Sequence, residues 1–319
     1  MGYYMAKNLA ETLSNKQPPL PPLLVYNRTT SKAQKLQDEI GKEKVQVLKD
    51  VAELGSRCDV IFTSLSSDAA AESVYSELLR AQEERRKHNG GSDSKTVFVD
   101  TSTLYPETTG DLERRISSIP HCVFIAAPAF GPPPMAQAGK LVFAVAGPHA
   151  SKKFISQFIV PGVGRKIMDF GSNPERAASF KLIGNSFILG QIEILAETMT
   201  LAEKTGVGSD RFYEFVQEFF PAPSAIGYGK KILEHQFNSE EGFSLDGGIK
   251  DASHIRRLAT SVDCPVPTVD NAHRNLVAAR ANSKGRDLDW SSLVAGQRIS
   301  SGLEPFDKSD KGLQKEVRK

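Results

Sequence analysis

Arg176-Ala-Ala-Ser-Phe-Lys-Leu-Ile-Gly-Asn-Ser-Phe-Ile-Leu-Gly-Gln-Ile-Glu-Ile-Leu-Ala-Glu-Thr-Met-Thr-Leu-Ala-Glu-Lys-Thr-Gly206 is a long apolar run with a polar notch near its start. It is rich in helix formers, contains no proline, and ends on a glycine where the residue after a helix belongs, so it predicts one helix over 176–205. At about 1.5 Å per residue such a helix spans roughly 45 Å, more than a small domain needs, which suits a spine between two domains.

The notch is Lys181 and Asn185, four residues apart and therefore stacked on one helix face. Turned inward among Phe180, Leu182 and Ile183, the lysine is desolvated, and desolvation brings an amine toward the pKa range useful for proton transfer. Turned outward it snorkels to solvent and does no chemistry. The helix alone leaves both readings open.

Upstream of this helix the pattern is short and β-branched. Residues 23–27, 59–65, 96–102, 123–128, 141–146 and 166–170 read as strands, with helices at 1–13, 30–40 and 68–86. Gln17-Pro-Pro-Leu-Pro-Pro22 is a stiff connector. Strands alternating with helices predict an α/β fold whose sheet is mostly parallel and covered on both faces. Downstream everything is helical: 210–219, 223–235, 247–260, 266–282 and 289–300. The expected domains are therefore 1–172 and 173–303, with a charged, disordered tail over 304–319. The polar segment Glu83–Lys95 reads as a helix end and a solvated loop without chemistry.

Composition narrows the functional class. With 39% hydrophobic and 24% charged residues, the 319-residue chain can bury a core of ordinary size. A net charge of +2 argues against a nucleic-acid surface, and no apolar run approaches the roughly 18 residues that cross a bilayer. Cys58, Cys122 and Cys264 are far apart and carry no metal-ligand spacing, so they read as reduced thiols, with no metal expected. The compartment expected is the cytoplasm, or the mitochondrion if a presequence is missing from the chain.

Ligands of open parallel sheets bind at the carboxyl ends of strands, and three ends stand out. Asn27-Arg28-Thr29 follows the first strand; its arginine either sits in an ordinary turn or pairs with a ribose 2′-phosphate. Asp100-Thr-Ser-Thr103 offers hydroxyls that either hold a substrate carboxylate or cap the helix that begins at Pro106-Glu107. Ala127-Pro-Ala-Phe-Gly-Pro-Pro-Pro-Met-Ala-Gln-Ala-Gly-Lys-Leu141 is a Gly/Pro loop that either brings amides to an anion or simply turns.

None of these is specific alone, but their order is. Asp100-Thr-Ser-Thr103, the Ala-Pro loop, Lys181 and Asn185, then Phe243 and Lys250-Asp251 together resemble the β-hydroxyacid dehydrogenase family. That family includes 3-hydroxyisobutyrate dehydrogenase and the glyoxylate/succinic semialdehyde reductases and is related to 6-phosphogluconate dehydrogenase. The resemblance covers nearly all of residues 1–300. It implies a Rossmann-type domain joined by the long helix to an all-α domain, and an NADP-preferring oxidoreductase, with NAD as the alternative. The substrate implied is a small β-hydroxy acid or its semialdehyde.

It also implies roles. Lys181 is the acid/base and Asn185 its partner or the substrate's. Ser102, Thr103, Phe130 and Gly131 hold the substrate carboxylate. Gly2, Asn27, Arg28, Thr29, Leu65, Thr103, Phe243 and Lys250 bind the cofactor. A homodimer or higher homo-oligomer through the helical domain is implied as well, with no nucleic acid or membrane partner. The rival expectations are a dehydrogenase-like scaffold without activity and an imine reductase; relatives of the second kind usually carry another residue at the lysine position.

Two departures qualify the resemblance. The family's loop usually reads Ala-Pro-Val-Ser-Gly-Gly, and here Phe130 and Pro132 stand at its Ser and second Gly positions. A hydroxyl and an amide donor are lost from the expected cradle, and an apolar wall is gained. Secondly, Met1-Gly-Tyr-Tyr-Met-Ala-Lys-Asn-Leu9 matches only the end of the family's Gly-Leu-Gly-x-Met-Gly-x-x-Met-Ala-x-Asn-Leu signature, making Gly2 its third glycine. The first strand, central in the usual 3-2-1-4-5-6 order, and two glycines are missing. The chain is expected to be a fragment or mis-started form of a longer enzyme, the alternative being a truncated product that holds its cofactor weakly.

Overall fold

Among the described residues, the β-branched and aromatic runs form eight strands: β1 (Leu23–Val25), β2 (Val45–Val47), β3 (Val60–Thr63), β4 (Thr96–Asp100), β5 (Cys122–Ala126), β6 (Ala129–Phe130), β7 (Leu141–Val145) and β8 (Gly164–Asp169). The computed structural model describes residues 1–88 and 94–306. These fall into two units that divide between Lys181 and Leu182.

The first unit is α/β, and every strand pairing in it is parallel except β6 with β7. The one sheet expected is three ladders instead: β1–β2, β3–β4–β5 and β6–β7–β8. A reciprocal bridge between Ala126 and Ala146 links the second ladder to the third. No ladder joins β1 to β3 among the described residues.

β4 is buried along its whole length. Alternation sends Phe98, with Ile61 and Phe124 of its neighbours, toward Tyr75, Leu78, Leu112 and Ile116. Val97, Val99 and Ile125 instead meet Leu9, Phe143, Ile155 and Ile159. Burial on both faces is why these strands read as continuous apolar runs. Side-chain turns end the strands two residues or so earlier than the sequence suggests. Asn27 Oδ1 accepts from the Thr29 amide after β1, and Asp100 Oδ1 accepts from the Ser102 amide after β4.

The helix Asp68–His88 runs slightly past its expected end, and residues 89–93 of the polar segment lie outside the described residues. The long helix runs from Pro174 to Lys204. Asn173 caps it by accepting from the Glu175 amide, and Gly206, at φ +76°, turns the chain out. Its first turns belong to the first unit, because Ala177 and Phe180 pack into that unit's core; the sequence put the boundary nearer 172.

Among the described residues the second unit is all helical: the rest of the long helix, then Ser209–Phe219, Pro223–Leu233, Leu245–Ser261, Pro267–Asn282 and Val294–Ser300. The single helix expected over 289–300 begins as a 3-10 turn, Trp290–Leu293, because Asp289 Oδ1 accepts from the Ser291 amide and tightens the start. The disorder expected from residue 304 does not hold for 304–306. Phe306 is buried, 5.9 Å from the Phe237 ring and beneath the Arg286 guanidinium at 4.7 Å; the rest of that expectation, 307–319, lies outside the described residues.

Candidate active site

Lys181 is the first residue to place. Three-and-a-half residues per turn put it on the same side of the long helix as Ala177 and Ala178, which are buried, and it is itself only 8% exposed. Its Nζ stands 4.2 Å from the centre of the Phe130 ring, within the range in which an aromatic face attracts an ammonium. Phe180 fills the space beside it, 5.7 Å from Phe130 and 4.4 Å from Phe170. The outward, snorkelling reading of Lys181 does not describe this lysine.

Phe130 is half-buried at the end of β6, where pairing with Val142 of β7 fixes its direction. Gly131 follows at φ +135°, and a Cβ there would come within 2.8 Å of the Leu141 side chain, so this turn requires glycine. Pro132 offers no N–H.

The hydroxyl cluster after β4 is already engaged. Ser102 Oγ accepts from the Leu65 amide at 2.8 Å and donates to Asp100 Oδ2 at 3.2 Å. Asp100 also receives Thr63 Oγ1 at 2.6 Å and the Tyr75 hydroxyl at 3.3 Å. Burial pushes the Asp100 carboxyl above its usual range, and the hydrogen bonds from Thr63 and Ser102 partly offset this. The structure thus joins Ser102 to Leu65, and both to a buried Thr–Tyr–Asp knot. Thr103 is half-buried beside them.

In the second unit Asn185 is 4% exposed and donates Nδ2 to Asp251 Oδ2 at 2.6 Å. Asp251 is fully buried; Lys250 Nζ lies 3.0 Å from its Oδ1, paired by charge but not aligned as a hydrogen bond. Asp251 is the residue the sequence reading named only as part of a motif. A fully buried carboxylate that orients Asn185 is legible as such only when the helix Leu245–Ser261 is in place. Phe243 packs edge-on against Trp290 at 5.0 Å, and its amide donates to Asp289 Oδ2 at 2.8 Å. Asp289 is held in turn by Lys231 at 3.1 Å.

The remaining expected residues are Gly2, Asn27, Arg28 and Thr29. Gly2 opens the first helix, Gly2–Ser14, with its Cβ position 3.4 Å from Ser64, so the helix start abuts the chain just beyond β3. Asn27, Arg28 and Thr29 are exposed in the turn after β1, and Lys32 acts electrostatically on the Met1 end of that helix. Exposed cations beside a helix start are the donor set that phosphate groups require, so these residues fit an anionic dinucleotide. Among the described residues no group of three His, Cys, Asp or Glu could hold a metal ion, and no helix is long and apolar enough to cross a membrane.

Comparison with known proteins identifies the family. Residues 1–168 match the family model of the NAD binding domain of 6-phosphogluconate dehydrogenase. Residues 176–296 match the model described as NAD-binding of NADP-dependent 3-hydroxyisobutyrate dehydrogenase. The chain is 29% identical to the NADH-dependent oxidoreductase ucdB of Aspergillus ustus, over 96% of this chain and 98% of that one. It is 26% identical to glyoxylate/succinic semialdehyde reductase 1 of Arabidopsis thaliana, over 86% and 90%. The solved structure of 3-hydroxyisobutyrate dehydrogenase from Mycobacterium tuberculosis with L-serine shares the fold, with a TM-score of 0.73 at 20% identity, covering 93% of this chain and 96% of that one.

Proposed function

The chain belongs to the β-hydroxyacid dehydrogenase family and is an NAD(P)-dependent oxidoreductase; from that premise we propose that it prefers NADP and interconverts a small alcohol and its carbonyl form. The family's β-hydroxy acids and semialdehydes are the reference substrates. When bound, the nicotinamide supplies or accepts the hydride. The observation that carries the reading is Lys181, buried at 8% exposure with its ammonium over the Phe130 face.

In the reducing direction the substrate oxygen gains negative charge and takes a proton from Lys181 Nζ; in the oxidising direction the neutral amine removes it. Asn185, fixed by the buried Asp251, is the hydrogen-bonding partner in this reading. Gly2, Asn27, Arg28, Thr29, Leu65, Thr103, Phe243 and Lys250 hold the cofactor, with Arg28 on the 2′-phosphate. The relative from Aspergillus ustus is named as NADH-dependent, which makes Arg28 the residue to test. Lys181 also weighs for alcohol chemistry over the imine alternative. A homodimer through the helical unit completes the proposal.

One set of measurements tests it: turnover, and binding of NADPH and NADH by fluorescence titration, for the wild type, Lys181→Met and Arg28→Ala. Lys181→Met should lose on the order of 100-fold or more in kcat with cofactor binding unchanged. Arg28→Ala should weaken NADPH by roughly tenfold or more and leave NADH alone. Full activity in Lys181→Met would remove the proton donor from the proposal, and equal losses of both coenzymes in Arg28→Ala would remove the coenzyme preference.

A further inference from the structure

We propose that Phe130 sets the substrate class, and that the site takes a carbonyl compound with an aryl or similarly flat apolar group where a hydroxy acid would carry its carboxylate. The inference rests on Lys181 as the proton donor, because that fixes where the reacting oxygen lies.

Of the four residues expected to hold a carboxylate, Ser102, Thr103, Phe130 and Gly131, two have no hydroxyl proton to offer one, and Pro132 beside them has no amide proton. The Ser102 hydroxyl has a single proton, and it points to Asp100 Oδ2 at 3.2 Å while the oxygen accepts from the Leu65 amide. Residue 130 carries a ring in place of a hydroxyl. Residue 132 is proline and has no amide proton. A carboxylate placed beside Phe130 would find fewer donors than the family's loop supplies and would meet an aromatic ring, and both are unfavourable.

The same atoms suit a different guest. Phe130, Phe180 and Phe170 form a run of rings with centroid separations of 5.7 and 4.4 Å, and Phe130 remains half-exposed at its end. A further ring can join such a run edge-on or offset. The ring face at 4.2 Å also attracts the Lys181 ammonium, so Phe130 sits beside the proton donor as an apolar wall.

The test uses the full chain with NADPH and two aldehydes, phenylacetaldehyde and succinic semialdehyde. Two unreactive probes, phenylacetamide and succinate, are followed in parallel by saturation-transfer NMR. The wild type should favour phenylacetaldehyde by on the order of 100-fold in kcat/KM and show transfer to phenylacetamide alone. Phe130→Ser should lower that preference by roughly tenfold or more and admit succinate. Phe130→Leu, which keeps the apolar wall, should still exclude succinate; its thermal melt checks that position 130 tolerates change.

A wild type that binds succinate and not phenylacetamide overturns the proposal, as does a Phe130→Ser variant with both preferences unchanged. If neither aldehyde is reduced, the reductase reading fails by itself, and the NMR comparison still decides the role of Phe130.

Discussion

A lysine, a phenylalanine and a glutamate show how differently single residues reveal themselves. Lys181 is legible in sequence because its apolar neighbours and its spacing to Asn185 predict a buried amine on one helix face. The Phe130 substitution is legible too, but its contact with Lys181 is not, since the two are 51 positions apart in sequence and only the β6–β7 pairing aims the ring. Glu193 escapes sequence reading altogether, because nothing in a helical run marks one glutamate as buried. It is 1% exposed; Oε1 accepts from Asn271 and Asn275, each at 2.6 Å, and Oε2 has no hydrogen-bond partner. Burial, then the neighbouring Glu197 charge, pushes its carboxyl up to about 7 from 4.5. Between those values the native chain keeps a proton that the unfolded chain releases. Stability therefore falls as pH rises from about 4.5 to about 7 and is level above that. Glu193→Gln should abolish this fall and gain on the order of 2 kcal/mol at pH 8, with little change at pH 4. Urea midpoints at the two pH values check this; an unchanged pH dependence in the variant would contradict it.

Among elements, the long helix carries most of what can be read ahead of the structure. Its extent was legible within about two residues at each end, because Asn173 and Gly206 are end signals with a physical basis. Elements without such signals were not. β2 is three residues long and the helix Val51–Arg57 barely two turns, too short for periodicity to register. The helix His149–Ile159 was legible in principle, with Ile155 and Ile159 four apart and both buried, but a proline at its start masks it as loop. The long helix also shows an apolar face to solvent. Ile183, Phe187, Ile194 and Leu201 are 58%, 74%, 52% and 62% exposed, and the last three recur every seven residues. That stripe is what a helical homodimer would bury. Phe187→Glu should convert the dimer to monomer in sedimentation velocity while leaving the far-ultraviolet circular dichroism spectrum intact; a wild type that is already monomeric would contradict the dimer.

At the scale of the molecule, α/β and all-α halves were legible because strand and helix periodicities segregate along the chain. The division of the sheet into three ladders was not legible, because strand patterns in sequence do not say which strands pair. What sequence could not supply is the pairing of distant groups within each unit, Lys181 with Phe130 in one and Asn185 with Asp251 in the other. Those pairings are the chemical substance of the proposed function. The most direct measurement is isotope transfer from NADPH deuterated at nicotinamide C4, with the product alcohol examined by mass spectrometry. Deuterium on the carbinol carbon in the wild type, falling at least about 100-fold in rate in Lys181→Met with NADPH binding retained, is the result predicted. Product without deuterium, or transfer at the wild-type rate without the Lys181 amine, would contradict hydride transfer completed by this lysine.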